Sequence, residues 1–351
     1  MTRVVGIDPG TVSIDICGIA DGRLYLDRSW PTEEALANPD SLIELLTGSG
    51  IPDLIAGPSG YGLPLQRAAG TSDADLRLAF LAAPDEIGGL GGIRSFARQL
   101  AASGLPVMYT PGVIHLDTVP EHRKLNRVDM GTADKLCAVV LGIHDHCARR
   151  ERTPTQASFI LLELGGAFTA GMAVERGQVV DGIGGTSGPI GWRAAGALDG
   201  EVAFLAGTIS KAALFQGGAS SLSKQDPGKR SVALRAYVEG AAKTVRQLRC
   251  SAPSADEILL SGRKAAEPEI LEWLSTELRD LGAVRLLTGF ATTVKQGAQG
   301  AALLADGLAG GRERELVDRL RIREAKGTVL DHLIFISPAA ARLRLGIPPN
   351  D

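Results

Sequence analysis

The sequence predicts an α/β protein made of two similar halves. Three observations carry that expectation. An order of three strands, helix, strand, helix, strand and helix can be read from the start of the chain and again from residue 157. The first hairpin of each half turns on one pattern, "GIDPGTVSIDICGIADGRL" in the first and "LLELGGAFTAGMAVERGQV" in the second. Glycine supplies 44 of the 351 residues, well above the ~7% of average usage, and no collagen-like period accounts for it. Many sharp turns or close backbone approaches are therefore expected.

Each element follows from local pattern. Strands are expected at 3–9, 12–20 and 23–28, apolar runs separated by Gly-bearing turns. A helix at about 41–48, a strand at 53–57, a helix at 90–103, a strand at 106–110 and a helix at 130–148 complete the first half. The second half repeats the order with strands at 157–164, 168–175 and 178–183 and helices at 197–206 and 231–249. The strand "DEILLSG", a helix at 267–281, the strand "AVRLLTG" and a helix at 296–309 follow. Beyond them "RERELVDRLRIREAKG" alternates both charge signs at helical period, which reads as a solvated helix face. The apolar "LIFI" near the end fits packing on the first domain or on a partner subunit, as in a homodimer.

Composition narrows the partners. Net charge is −3 and aromatic residues are 4%, so neither a basic footprint nor stacking platforms point to nucleic acid. No apolar run approaches the ~18 residues of a membrane span and no leader pattern opens the chain, so no membrane partner and a cytoplasmic location are expected. Cys17, Cys137, Cys147 and Cys250 are scattered, as suits reduced thiols. "HDHC" at 144–147 is the one hint of a metal; without a second Cys or His pair it reads as an exposed helix end.

The two hairpin turns carry the chemistry. Asp8 ends an apolar strand, and Gly10, Thr11 and Ser13 follow; the acid either caps a tight turn or holds a cation beside an anion that glycine lets the backbone approach. Glu163 ends the matching strand, with Gly165, Gly166 and Thr169 in its turn. Two such hairpins fit a grip on one polyphosphate, with Asp8 and Glu163 directed at a shared Mg²⁺.

Taken in order, the motifs resemble the superfamily of sugar and acetate kinases, heat-shock-70 chaperones and actin (the ASKHA superfamily), over about residues 3–310. "IDPGTVS" and "ELGGAFT" are similar to its two phosphate loops. "TADKLCAVVLGIHDH" and "GAQGAALLADGL" resemble its interdomain helices, and "EILLSGRKA", with Ser261, Gly262 and Arg263, its adenosine segment. The resemblance implies two ribonuclease-H-like, actin-like ATPase domains with a nucleotide cleft between them. It divides the chain into 1–150 with the first phosphate loop and acceptor-side segments, 151–310 with the second phosphate loop and adenosine segment, and a helical tail at 311–351.

Within the superfamily the chain most resembles acetate and butyrate kinases, and an uncharacterised family of predicted butyrate kinases with which "PSGYGLPL" and "NRVDMGTADKL" are shared. "DPGTVS" is similar to their Asn-Pro-Gly-Ser-x-Ser loop and "GPIGWRAAGALDG" to their Gly-Pro segment leading to an arginine. Departures are plain: Glu163 stands where they have histidine, Arg193 falls one position early, and their early substrate-side arginine is missing, with Arg67 or Arg94 as substitutes. "HLDT" offers Asp117 where acetate kinases carry a catalytic acid in Phe-Asp-Thr.

The resemblance implies ATP and Mg²⁺ as cofactors and a small-molecule acceptor. Arg193, in a Gly-rich loop, is suited to stabilise a transferring phosphoryl group, with a surface salt bridge as the plainer reading. Asp117 either orients the acceptor or caps a loop. Apolar Ile190 and Trp192 beside Arg193 favour a short carboxylic acid as acceptor, hence an acyl-phosphate-forming kinase. A kinase of a hydroxyl-bearing metabolite and an ATP-hydrolysing regulator or activator are the rivals.

Overall fold

The computed structural model describes residues 2–10, 12–48, 50–58, 60–83 and 90–348. The chain forms two compact units, one of residues 1–128, 132–155 and 288–351, the other of residues 129–131 and 156–287.

The first unit is built on strands β1 (Arg3–Pro9), β2 (Ser13–Ala20), β3 (Arg23–Pro31), β4 (Leu54–Pro58), β5 (Gln66–Arg67) and β6 (Val107–Thr110), in sheet order β3-β2-β1-β4-β6-β5. The first three form an antiparallel meander, and β4 and β6 join β1 in parallel. Val4, Val5 and Ile7 are fully buried, as expected of a central strand covered on both faces. Helices α1 (Pro39–Thr47), α2 (Asp73–Phe80), α3 (Leu90–Ala102) and α4 (Ala133–Arg150) follow in chain order. Helix α2 was not expected from periodicity. It is started by a capping box, in which Ser72 and Asp75 each accept the other's backbone N–H, and it buries Leu76, Leu78 and Phe80.

The second unit repeats the plan with β7 (Phe159–Leu164), β8 (Thr169–Glu175), β9 (Gln178–Ile183), β10 (Glu257–Ser261) and β11 (Ala283–Leu286), in order β11-β10-β7-β8-β9. Again three antiparallel strands are extended by two parallel ones. Helices α5 (Gly200–Ala206), α6 (Arg230–Arg249) and α7 (Pro268–Glu277) belong here. Ile160, Leu162, Tyr237, Val245 and Leu260 centre its core. Each unit is thus a ribonuclease-H-like α/β domain, and the expected duplication holds in both sheets.

The chain returns to the first unit at residue 288, so that unit takes α8 (Gln296–Leu308) and the tail, including α9 (Arg314–Leu320). This division puts residues 288–310, expected with the second domain, in the first unit. The reason is close packing: Gly297 through Gly307 are all buried, and α8 lies on β1 and α4. A Cβ on Gly6 of β1 would stand 2.6 Å from Ala301 C, nearer than real atoms approach. On α9, Leu316, Val317 and Leu320 are buried while Arg314, Glu315 and Asp318 are exposed. Ile334 and Phe335 of the "LIFI" segment are exposed, and Asn126 accepts their backbone N–H groups.

Candidate active site

Asp8 stands at the end of β1, 7% exposed, and β1–β2 pairing sets it directly opposite Asp15, which is 1% exposed. Its carboxylate faces the first turn of α8, where a Cβ on Gly297 would come 2.5 Å from Oδ2. Burial first, then the Asp134 charge, pushes the Asp8 pKa up to about 7, against the pull of Lys295 and Lys135. Asp134 lies in the first turn of α4, where Thr132 Oγ1 and Lys135 Nζ each donate to it at 2.5 Å. Burial raises its pKa, but the Lys135 charge and these hydrogen bonds together hold it below the ordinary range.

The turn after β1 is tight. Gly10 N donates to Ser13 O at 2.9 Å, and Thr32 Oγ1 donates to Gly10 O at 2.7 Å. Ser13 Oγ donates to Asp15 at 2.8 Å rather than into the turn. Thr11 lies outside the described residues.

In the second unit the expected residues converge. Gly165 N donates to Phe168 O at 3.0 Å, closing the turn after β7, and Glu163 Oε1 lies 3.2 Å from where a Cβ on Gly165 would be. Arg193 Nε donates to Gly166 O at 3.0 Å, and the Arg193 and Ala194 backbone N–H groups both donate to Ala167 O. The arginine is itself exposed. Ser261 pairs with Glu163 across β10 and β7, its Oγ buried without a hydrogen-bond partner. Gly262, at φ +88°, packs so flat that a Cβ would meet Leu164 O at 2.5 Å. Arg263 is exposed. Lys264 N donates to Leu164 O, and its ammonium sits 3.8 Å above the Trp192 ring. Turn, arginine loop and the "SGRKA" segment are therefore one stitched surface.

Two candidates are placed otherwise. Thr169 is fully buried beside the Tyr237 hydroxyl, in the core of the second unit. Asp117 is gripped by Arg321, with Nε at 3.0 Å and Nη2 at 2.6 Å, and this guanidinium holds its carboxyl below the usual carboxylate range. In "HDHC", His144 bonds Glu313 at 3.0 Å. Among the described residues no group of three or more His, Cys, Asp or Glu is placed to hold a metal, and no helix is long and apolar enough to cross a membrane.

Residues 6–335 match the family described as DUF1464, protein of unknown function. The chain belongs to the DUF1464 family. No curated protein matches by sequence. Among solved structures the chain is similar to a propionate kinase from Francisella tularensis subsp. tularensis SCHU S4, at TM-score 0.60 and 14% identity, covering 86% of this chain and 99% of that one. Acetate kinase from Porphyromonas gingivalis is similar at TM-score 0.60 and 11% identity, with coverage of 86% and 98%. Acetate kinase from Entamoeba histolytica gives TM-score 0.57 and 10% identity, with coverage of 80% and 87%. At such identities the likeness is one of fold, and the fold is the two-domain ASKHA fold of acetate and propionate kinases.

Several residues of this DUF1464 chain escape a reading by motif. Lys295, at the N-terminal end of α8, reaches Asp15 at 2.7 Å and Ser13 O at 3.3 Å. Asp134 and Lys135 lie in the stretch "TADKL", where the helical pattern masks them. Asp129, 4% exposed, accepts Gly131 N, Thr186 N and Thr186 Oγ1 on its carboxylate, and its carbonyl accepts Gly184 N and Ser187 Oγ. It thereby orders the Gly-rich loop that leads to Arg193. "NRVDMG" gives the only sequence cue, an acid just before a helix.

Proposed function

We propose that the protein is an ATP- and Mg²⁺-dependent phosphotransferase whose acceptor is a short carboxylic acid, so that its product is an acyl phosphate. The observation that supports this best is the fixing of Arg193 to the second phosphate turn through Gly166 O, with Trp192 and Ile190 beside it. A guanidinium held at a phosphate turn supplies charge where a phosphoryl group in flight needs it.

Asp8 and Asp134 suit Mg²⁺, a hard cation taking one or two carboxylates and completing its shell with phosphate oxygens and water. Burial first and the Asp134 charge second lift the Asp8 pKa, and a cation bound there would favour the ionised carboxylate against both. Bound there, Mg²⁺ would neutralise charge on the nucleotide phosphates. In this reading Gly10, Gly165 and Gly166 admit phosphate to backbone N–H groups, and Gly262 and Ser261 border the adenosine. Glu163 adjoins the second turn as a further candidate ligand. The acceptor is already ionised at neutral pH, so its oxygen attacks the γ-phosphorus without a general base. The bond from that phosphorus to the β,γ-bridging oxygen breaks, and ADP leaves with the electron pair. The engagement of Asp117 by Arg321 suits a reaction that asks for no such base.

Hydroxylamine traps acyl phosphates as hydroxamates and leaves phosphate monoesters alone. Incubation with Mg-ATP, hydroxylamine and a panel of short and branched acids is expected to yield hydroxamate, and Arg193→Ala to lower the rate by roughly three orders of magnitude. ATP consumed with an alcohol or amine and no hydroxamate from any acid would instead make the protein a kinase of hydroxyl or amino acceptors. Acceptor-independent hydrolysis would make it an ATPase.

A further inference from the structure

We infer that Lys295 is a phosphate-binding cation of the first turn, delivered to it from the far end of the chain. The inference rests on the nucleotide reading above and adds a residue to it. Lys295 occupies the N-cap of α8 and makes no side-chain cap hydrogen bond there. Lysine is a poor choice at that position, because the N-terminal end of a helix carries partial positive charge and favours Asp, Asn, Ser or Thr. The side chain instead crosses to the β1–β2 turn. Its ammonium donates to Ser13 O and pairs with Asp15, and it comes within 2.8 Å of where a Cβ on Gly10 would lie. Glycine at position 10 is what allows this approach.

The backbone that carries Lys295 is held rigidly. Asp27 accepts the N–H groups of Thr292, Thr293 and Val294 and the Thr292 hydroxyl, and Gln299 Oε1 accepts Phe290 N and Ala291 N. Six donors thus fix the approach to α8 before any ligand arrives. An ammonium has three N–H donors, and two are directed at Ser13 O and Asp15. The side chain remains 39% exposed beside Gly10, and among the described residues no third acceptor meets it, which leaves the third N–H to an anion. A lysine serving Asp15 alone would need neither the Gly10 contact nor that exposure.

Neutralising Asp15 is a separate role, and the test removes it. Lys295→Met alone would strand a buried carboxylate, so the informative protein is the double variant Asp15→Asn/Lys295→Met, compared with its Asp15→Asn parent. Binding of Mg-ATP and of adenosine is measured by calorimetry, and folding by circular dichroism and urea midpoint. The double variant is expected to fold, to bind adenosine like its parent and to bind Mg-ATP about 10- to 100-fold more weakly, as for one lost charge-assisted hydrogen bond. Equal Mg-ATP affinity in the double variant and its parent would overturn the inference and leave the nucleotide reading standing. A wild-type protein that binds no Mg-ATP would overturn both.

Discussion

Replacing Gly297 by alanine tests whether the first turn of α8 sets the position of Asp8. The added methyl would lie 2.5 Å from Asp8 Oδ2 and 3.0 Å from Cγ, against an ordinary contact limit of 3.4 Å, so the carboxylate must retreat by about 0.9 Å. The neighbour is a side chain, which can turn. Overpacking costs ~1–3 kcal/mol, and alanine in place of glycine within a helix returns ~0.5–1 kcal/mol, so a net loss of about 0–2 kcal/mol is expected. Misplacing a reacting group by ~1 Å costs about a hundredfold in rate, so phosphoryl transfer should fall far more than stability. Gly300→Ala is the contrasting case: its Cβ would stand 3.2 Å from Cys137 Cα and closer still to that residue's carbonyl, where only backbone is present to give way. It should separate α8 from α4 and unfold the first unit. Gly200→Ala, with nothing within 4 Å, should be neutral or slightly stabilising. Urea midpoints and Mg-ATP-dependent turnover are the measurements. A Gly297→Ala protein with unchanged turnover would refute the placement of Asp8 as a working carboxylate, and a Gly300→Ala protein as stable as wild type would refute the helix packing.

Two further outcomes concern buried polar groups. Asp129→Ala strands the donors on Gly131 and Thr186, and should destabilise the second unit by ~2–5 kcal/mol and speed exchange of the Thr186 amide, with Asp129→Asn milder; unchanged exchange would disprove the anchoring. His115 is 2% exposed and burial pushes its pKa down to about 4, so the unfolded chain takes up a proton near pH 6.5 that the folded chain refuses; stability should fall by up to about 3 kcal/mol between pH 6.5 and 4, and His115→Leu should flatten that slope in urea titrations.

The features legible in the sequence are those written in neighbouring residues. The hairpins of β1–β2 and β7–β8 show as apolar runs broken at Gly10 and Gly165, and the duplicated order of both sheets follows from them. Arg193 and Gly166 could be named separately, but their hydrogen bond depends on a loop folding back over 27 residues. Lys295 was invisible for the same reason on a larger scale, since 282 residues separate it from Ser13. Helix α2 was missed because eight residues give too little period to read, although "SDAD" carried its cap. Asp117 shows what a short motif leaves out. A short motif suggested a role, and Arg321, 204 residues away, occupies its carboxylate.

The charges around the first turn argue for a ligand rather than for stability. Pairing β1 with β2 sets Asp8 against Asp15, and like charges directly opposite across a sheet are destabilising. Asp134 adds a third carboxylate whose charge bears on Asp8. Lys295 and Lys135 offset part of this, but a buried ion pair seldom repays its own desolvation, and apolar residues of similar volume would hold the sheet as well. Three carboxylates stand with two ammonium groups, and burial first, then the Asp134 charge, raises the Asp8 pKa to about 7. In the proposed reading a divalent cation held by Asp8 and Asp134, with a polyphosphate accepting from Lys295, would answer both halves of the arrangement. Neither partner alone does so, since a bare polyphosphate would meet Asp8 and a bare cation would leave that donor idle. The proposed reading therefore expects Mg²⁺ and nucleotide to bind more tightly together than either does alone, and calorimetry showing equal affinity for ATP with and without Mg²⁺ would refute it.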